Sequence, residues 1–184
     1  MSEETVDKEQ IAKSHPELAP TMIDGQACIT PVATPSYTPF VAGDVHPELV
    51  TFIKNVPWHQ LLGVQVLELR PGYARLLLPL SPYIKGNASR GVLHGGMMAA
   101  LADSCAVAAL WTHFGPDDRV ATVDLRVDYL RPAPDTAGII AEGEVRLLGG
   151  SIGNIHVRMV SESDPNVTVA EGRTVCYMRR AKKS

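Results

Sequence analysis

The chain has 184 residues, of which 45% are hydrophobic and 20% charged, enough apolar material for one packed domain with an appended segment. That mix excludes a wholly disordered chain, a collagen and a coiled coil. With 17 basic against 20 acidic residues the net charge is −3. A general nucleic-acid binder is excluded, because such affinity grows with the cations that displace counterions from phosphate; a local anion site stays open.

Six histidines and three cysteines (Cys28, Cys105, Cys176) contain no CxxC, HxxxH or HExxH spacing, so neither a metal nor a cofactor is expected. Three isolated cysteines suit a reducing compartment. The opening MSEETVDKEQ has neither a basic n-region nor an apolar h-region, and the cytoplasm is the expected location. From Gly91 to Phe114 there is no Lys or Arg, which raises the question of a membrane span. The stretch also holds His94, Asp103 and His113, with alanine dominating over leucine. An acid at a bilayer centre costs about 2.5–3.5 kcal/mol with little leucine to offset it, so a buried core helix is the better reading.

In chain order, residues 1–45 hold five of the 14 prolines (Pro16, Pro20, Pro31, Pro35, Pro39) and no sustained period. They read as an irregular arm, since proline fixes φ and lacks an N–H. A domain over residues 46–180 follows, with a basic tail at 181–184. A helix starts near Asp44-Val-His-Pro-Glu, with Pro47 in its first turn and Leu49, Val50, Phe52 and Ile53 on its apolar face. Pro57 stops it, and Trp58–Leu62 reads as a short turn. In Gly63–Arg70 the apolar alternation slips from Val64 and Val66 to Leu67 and Leu69, the mark of a bulge or an edge. Tyr73–Leu80 is the next strand and Ser81–Arg90 a polar loop. A long helix spans about His94–His113, closed by Gly115-Pro116. In the strand Val120–Leu130, Val123, Leu125, Val127 and Tyr129 alternate with Thr122, Asp124, Arg126 and Asp128. Strands at Ile139–Leu148, Ile152–Ser161 and Val167–Met178 complete the set, and their short gaps favour antiparallel neighbours. The fold class is therefore α+β: five or six strands in a curved antiparallel sheet wrapped around one long central helix, because a helix apolar on nearly every side must be covered on nearly every side.

Asp103 is the most informative residue. Its helical neighbours at three and four residues are Ala99, Ala100, Ala106 and Val107, so its carboxylate sits on a small apolar face, where an unpaired charge is costly. Acids in such settings cluster at active sites; a cap or a loop contact is the structural alternative. His94-Gly95-Gly96 opens the helix, where free N–H groups and the dipole favour negative charge. The same glycines would also suit a tight turn. Gly95 and Asp103 are eight residues apart, or about 12 Å at roughly 1.5 Å per residue. One carbonyl cannot easily touch both on the same helix. If they act together, they come from two subunits with antiparallel helices, and the site requires a dimer.

The run Asn87-Ala-Ser-Arg-Gly-Val-Leu-His-Gly-Gly-Met-Met-Ala-Ala-Leu-Ala-Asp103 resembles the signature of hotdog-fold acyl-CoA thioesterases of the phenylacetate-degradation type, in the 4-hydroxybenzoyl-CoA thioesterase superfamily. Val123–Ala133 is similar to the strand that follows the helix in that family, and the resemblance covers about residues 46–179. It implies hydrolysis of an acyl-CoA or related acyl thioester, with Asp103 as general base or nucleophile and the Gly95 amide polarising the carbonyl. By the same resemblance His94 and Asn87 orient substrate or water, and Thr122 holds the attacking water. Gly96 and Met97 adjoin the substrate. Asn87 stands one residue further from His94 than is usual in the family, and Gly149-Gly-Ser-Ile-Gly153 replaces a turn that often carries arginines. Lys85, Arg90 and Arg131 flank the motif and are the candidates for the coenzyme phosphates. The implied partners are the acyl-CoA substrate and a second copy of the chain, a homodimer that assembles into a tetramer, with no nucleic acid and no membrane. Two alternatives remain: a hotdog dehydratase, whose Asp-x-Asn-x-x-His and His-Phe-Pro-Gly patterns are absent here, and a non-catalytic acyl-CoA binding or sensing module.

Overall fold

The computed structural model describes residues 21–23, 26–28, 38–43 and 45–181. Within the proline-containing arm, β1 (Thr21–Ile23) and β2 (Gln26–Cys28) pair antiparallel. The two-residue β3 (Phe40–Val41) runs parallel to β4 (Gln65–Arg70). The main sheet has seven strands in the order β3-β4-β5-β7-β8-β9-β6. Here β5 is Tyr73–Leu78, β6 Arg119–Tyr129, β7 Ile139–Leu148, β8 Ile152–Ser161 and β9 Asp164–Arg179. Every neighbouring pair from β4 to β6 is antiparallel, as the short connections require. Six strands thus form the expected sheet, and β3 adds a short edge to it.

The helices are α1 (Glu48–Lys54), α2 (Pro57–Leu62) and the 17-residue α3 (Gly95–Trp111). The segment Trp58–Leu62, expected as a turn, is helical. Pro57 occupies the first helical turn, where its missing N–H costs nothing, and Gly63 closes the helix at φ 70°. Proline therefore starts α2 as well as following α1. The polar loop before α3 contains two 3-10 turns, Pro82–Ile84 and Ala88–Arg90, and tucks Ile84 into the core.

The sheet curls around α3. Leu101, Ala102, Cys105, Ala106, Ala109 and Leu110 have no exposure, and they face Ala74, Leu76, Ala141, Val157 and Ala170, also fully buried. Alanine on the helix and glycine on the sheet let the two layers approach closely. A Cβ on Gly143 would lie 2.9 Å from the Cys105 carbonyl oxygen, which is backbone and cannot turn aside. The slipped alternation in β4 is a bulge, since the register against β5 shifts between Val66 and Glu68.

A second bulge was not legible from the alternation. The register of β6 against β9 shifts between Thr122 and Asp124. The extra residue, Val123, is 64% exposed instead of facing inward, while Leu125 and Val127 pack on the core. Among the described residues no helix is long and apolar enough to cross a membrane.

Candidate active site

The first site element is the start of α3. His94 is extended (φ −74°, ψ 123°), and its Nδ1 accepts the Gly96 N–H at 3.0 Å. An accepting Nδ1 places the ring proton of the neutral imidazole on Nε2. The His94 amide donates to the Ile84 carbonyl at 2.9 Å, which pins the turn. The Gly95 amide has no acceptor among the described residues, as expected of a first-turn donor. Tyr129, at the end of β6, donates its hydroxyl to the Gly95 carbonyl at 2.8 Å. A Cβ on Gly95 would come within 3.2 Å of the Tyr129 ring, so glycine here is a matter of close approach. Tyr129 was not among the expected site residues; on an alternating strand nothing local marks it.

The second element is Asp103 in the middle of α3. It is half-buried, and Thr122 donates its hydroxyl to Asp103 Oδ1 at 2.7 Å. Plain alternation grouped Thr122 with the exposed Asp124 and Arg126. The bulge at Val123 breaks that grouping and turns Thr122 to the helix side, the kind of re-aiming that bulges provide. Cys176 lies beneath, its Sγ 3.9 Å from Thr122 Oγ1. Burial pushes the Cys176 thiol up, and burial holds Cys105 at about 12. Both therefore stay protonated and are poor nucleophiles.

The third element is an apolar chamber of about 120 Å³ beside Asp103. One wall is a stripe of α3 running from Asp103 and Ser104 through Val107 and Ala108 to Trp111; Phe52 and Ile53 of α1, Val56 before α2 and His59 of α2 form the other. His59 Nδ1 donates to the Ile53 carbonyl at 2.7 Å, and its Nε2 accepts the Ser104 hydroxyl at 2.9 Å. Burial lowers the His59 pKa below 6.5, with the Ile53 bond opposing it, so the ring is neutral near pH 7. The polar groups of His59 and Ser104 are thus turned on each other. Local reading missed this pair, because 45 residues separate its members.

The remaining candidates divide. Arg90, Arg131 and Gly95 line one open cavity of about 360 Å³ with Tyr129. Within it Arg131 Nη1 already donates to the Thr168 carbonyl at 2.7 Å. Lys85 Nζ stands 3.9 Å from Asp135. Met97 is half-buried against the core. The Asn87 side-chain oxygen accepts the Ser89 amide at 3.0 Å and the Ser89 hydroxyl at 2.6 Å, which shapes the turn before the helix. Asp103 with Thr122, and Gly95 with His94 and Gly96, remain two separate clusters on one unbroken helix, about 12 Å apart along its axis.

The sequence profile of the thioesterase superfamily matches residues 90–168, which span both clusters. The chain is 32% identical over 94 residues to the medium/long-chain acyl-CoA thioesterase YigI of Salmonella typhimurium, covering 44% of this chain and 61% of that protein. It thus spans about three fifths of that relative's length. A putative esterase of Halobacterium salinarum is 29% identical over 130 residues, covering 69% of this chain and 85% of its own. A crystal structure of a thioesterase family protein from Silicibacter pomeroyi superposes with a TM-score of 0.66 at 20% identity, over 73% of this chain and 98% of that one. The E. coli PaaI protein from the phenylacetic acid degradation operon gives 0.62 at 21% identity, over 70% and 88%. With the sheet wrapped around α3 and the superposition on these solved structures, the domain has the hotdog fold, and its residues 90–168 are similar to the thioesterase superfamily.

Proposed function

We propose that the protein hydrolyses acyl-CoA thioesters to the free acid and coenzyme A at sites shared between two copies of the chain. One observation carries the reading: an acid held by a hydroxyl at the mouth of an apolar chamber, with a free backbone donor too far up the same helix to reach the same carbonyl. In a dimer with antiparallel α3 helices, Asp103 of one protomer meets the Gly95 amide of its partner. Strand β6 supports this arrangement. It ends the sheet order, so its outer edge offers unpaired backbone groups to a second strand. Its Val123 and Tyr129 are exposed there. Pairing two such edges about a dyad continues the sheet and sets the helices side by side.

In this site the thioester carbonyl oxygen points at the Gly95 amide, and the acyl chain lies in the chamber beyond Asp103. Thr122 fixes the carboxylate and the water beside it. As general base, Asp103 takes a proton while the water oxygen bonds to the carbonyl carbon. The oxyanion that forms is met by the Gly95 N–H and the positive end of α3. Collapse breaks the carbon–sulfur bond, and the thiolate leaves with a proton. Asp103 as nucleophile would use the same geometry through an anhydride that water then opens. His94, through its Nε2 proton, and Asn87, through its remaining amide donors, orient substrate or water. Gly96 and Met97 border the reacting group. Arg90 and Arg131, with Lys85, meet the coenzyme phosphates. We place the protein in the cytoplasm, where thiols stay reduced, and expect the dimers to pair into a tetramer.

The test is thiol release from a panel of acyl-CoAs by wild type and Asp103→Asn. Turnover that collapses in the variant supports the reading. Equal activity in both makes Asp103 structural, and binding without hydrolysis by either leaves an acyl-CoA sensor.

A further inference from the structure

Asp103 stands at one end of the apolar chamber and Trp111 at the other. They are eight residues apart on α3, or about 12 Å. Past the acid, the polar side chains among the described lining residues besides the Trp111 indole are His59 and Ser104, and these bond each other. Beyond Trp111 lies a second cavity of about 160 Å³, walled by Leu49, Phe114, Gly115 and Pro116 and bordered by His46 and Glu48. Phe52 and Trp111 line both cavities, and their rings meet with centroids 4.5 Å apart at 57°. This aromatic pair is the partition between the two spaces.

Its halves are held differently. The Trp111 indole N–H donates to the Gly115 carbonyl at 3.2 Å, which ties the ring to the turn after α3. Phe52 has no polar atom to anchor it and is 50% exposed, and exposed side chains change rotamer in picoseconds to nanoseconds. One leaf of the partition is fixed and the other can swing.

Resting on the reading that the near chamber takes the acyl group, we infer that the Phe52–Trp111 pair sets the acyl-chain length the enzyme accepts. With the rings together, the chain is confined to the space between Asp103 and Trp111. An extended hydrocarbon covering that distance has roughly eight to ten carbons. Longer chains bind only when Phe52 turns outward and joins the two cavities, a conformational step that lowers their apparent affinity.

The experiment measures kcat/KM of the full chain on butyryl-, octanoyl-, dodecanoyl- and palmitoyl-CoA for wild type, Phe52→Ala and Phe52→Leu. Octanoyl-CoA is the expected best substrate of the wild type. The dodecanoyl-to-octanoyl ratio should rise about tenfold in Phe52→Ala and less in Phe52→Leu, a size of effect that a few methylenes in an apolar pocket produce. Phe52 is half exposed, and a thermal melt checks that both variants fold. An identical chain-length profile in all three proteins overturns the proposal. If the wild type hydrolyses no thioester, the thioesterase reading falls, and the partition is decided by calorimetric titration with non-hydrolysable thioether analogues of the same lengths. A Kd ratio shifted toward longer chains in Phe52→Ala supports it; an unshifted ratio, or binding of none, overturns it.

Discussion

Two faces of α3 follow different rules. The face toward the sheet carries Leu101, Ala102, Cys105, Ala106 and Ala109 with no exposure at all. The other carries Ala99, Ala100, Asp103, Ser104, Val107 and Trp111, all half-buried. Neighbouring residues thus have opposite fates: Cys105 is sealed with its thiol raised to about 12, while Asp103 keeps a hydroxyl partner and access to a chamber. A helix apolar all round would ordinarily be covered all round. The stripe left half-covered is where the proposed ligand and second subunit would complete the burial.

Substitutions on the open face should act on rate and those on the sealed face on stability. The largest expected effect is Asp103→Asn, which keeps size and removes the proposed base; kcat/KM should fall roughly 10²–10⁴-fold with the melting temperature little changed. Gly95→Pro isolates the proposed oxyanion donor. Proline suits the first helical position, and His94 already has the extended backbone that a residue before proline prefers. The ring edge of Tyr129, half exposed, must give by a few tenths of an ångström. Rate should drop about 10²–10³-fold in steady-state kinetics, while circular dichroism shows the helix intact. Thr122→Ala should cost about tenfold in kcat, and Thr122→Ser should restore most of it, as a hydrogen bond to a charged group is worth about 1.5–3 kcal/mol.

On the sealed face, Gly143→Ala drives a Cβ against the Cys105 carbonyl. It should lower stability by about 1–3 kcal/mol in urea titrations and leave the rate per folded molecule unchanged. A rate loss without destabilisation would break the division between faces. The smallest effect belongs to His59. Its pKa is lower in the folded chain than in the unfolded one, so the unfolded state binds the proton first. The native state keeps its full stability above about pH 6.5 and loses it as pH falls from there toward the folded value. In His59→Gln the drop in urea midpoint between about pH 7.5 and about pH 5 should shrink.

Much of this architecture was legible in the residues. The alanine-rich helix, its glycine opening and the slip at Glu68 follow from local periodicity, because one face of each element is buried. The bulge at Val123 did not show, since the residues on either side of it alternate as a regular strand would, and only the pairing with β9 exposes the extra residue. Thr122 was therefore tied to Asp103 by resemblance and set on the wrong face by pattern. The helix Pro57–Leu62 had its signals in place, proline at the start and glycine after the end, but its six residues carry too few turns for a period to appear. His59 and Ser104, and Tyr129 over Gly95, are contacts made by folding at long range, and no spacing encodes them.

The unbroken run of α3 from Gly95 to Asp103 has a consequence for mixtures of chains. If each site takes its acid from one protomer and its amide from the other, then Asp103→Asn and Gly95→Pro are each inactive alone but complement one another. A mixed dimer has one site with both defects and one with neither. Random pairing of the two chains would therefore restore about a quarter of the wild-type rate from two dead proteins. If a single protomer held the whole site, mixing would restore nothing.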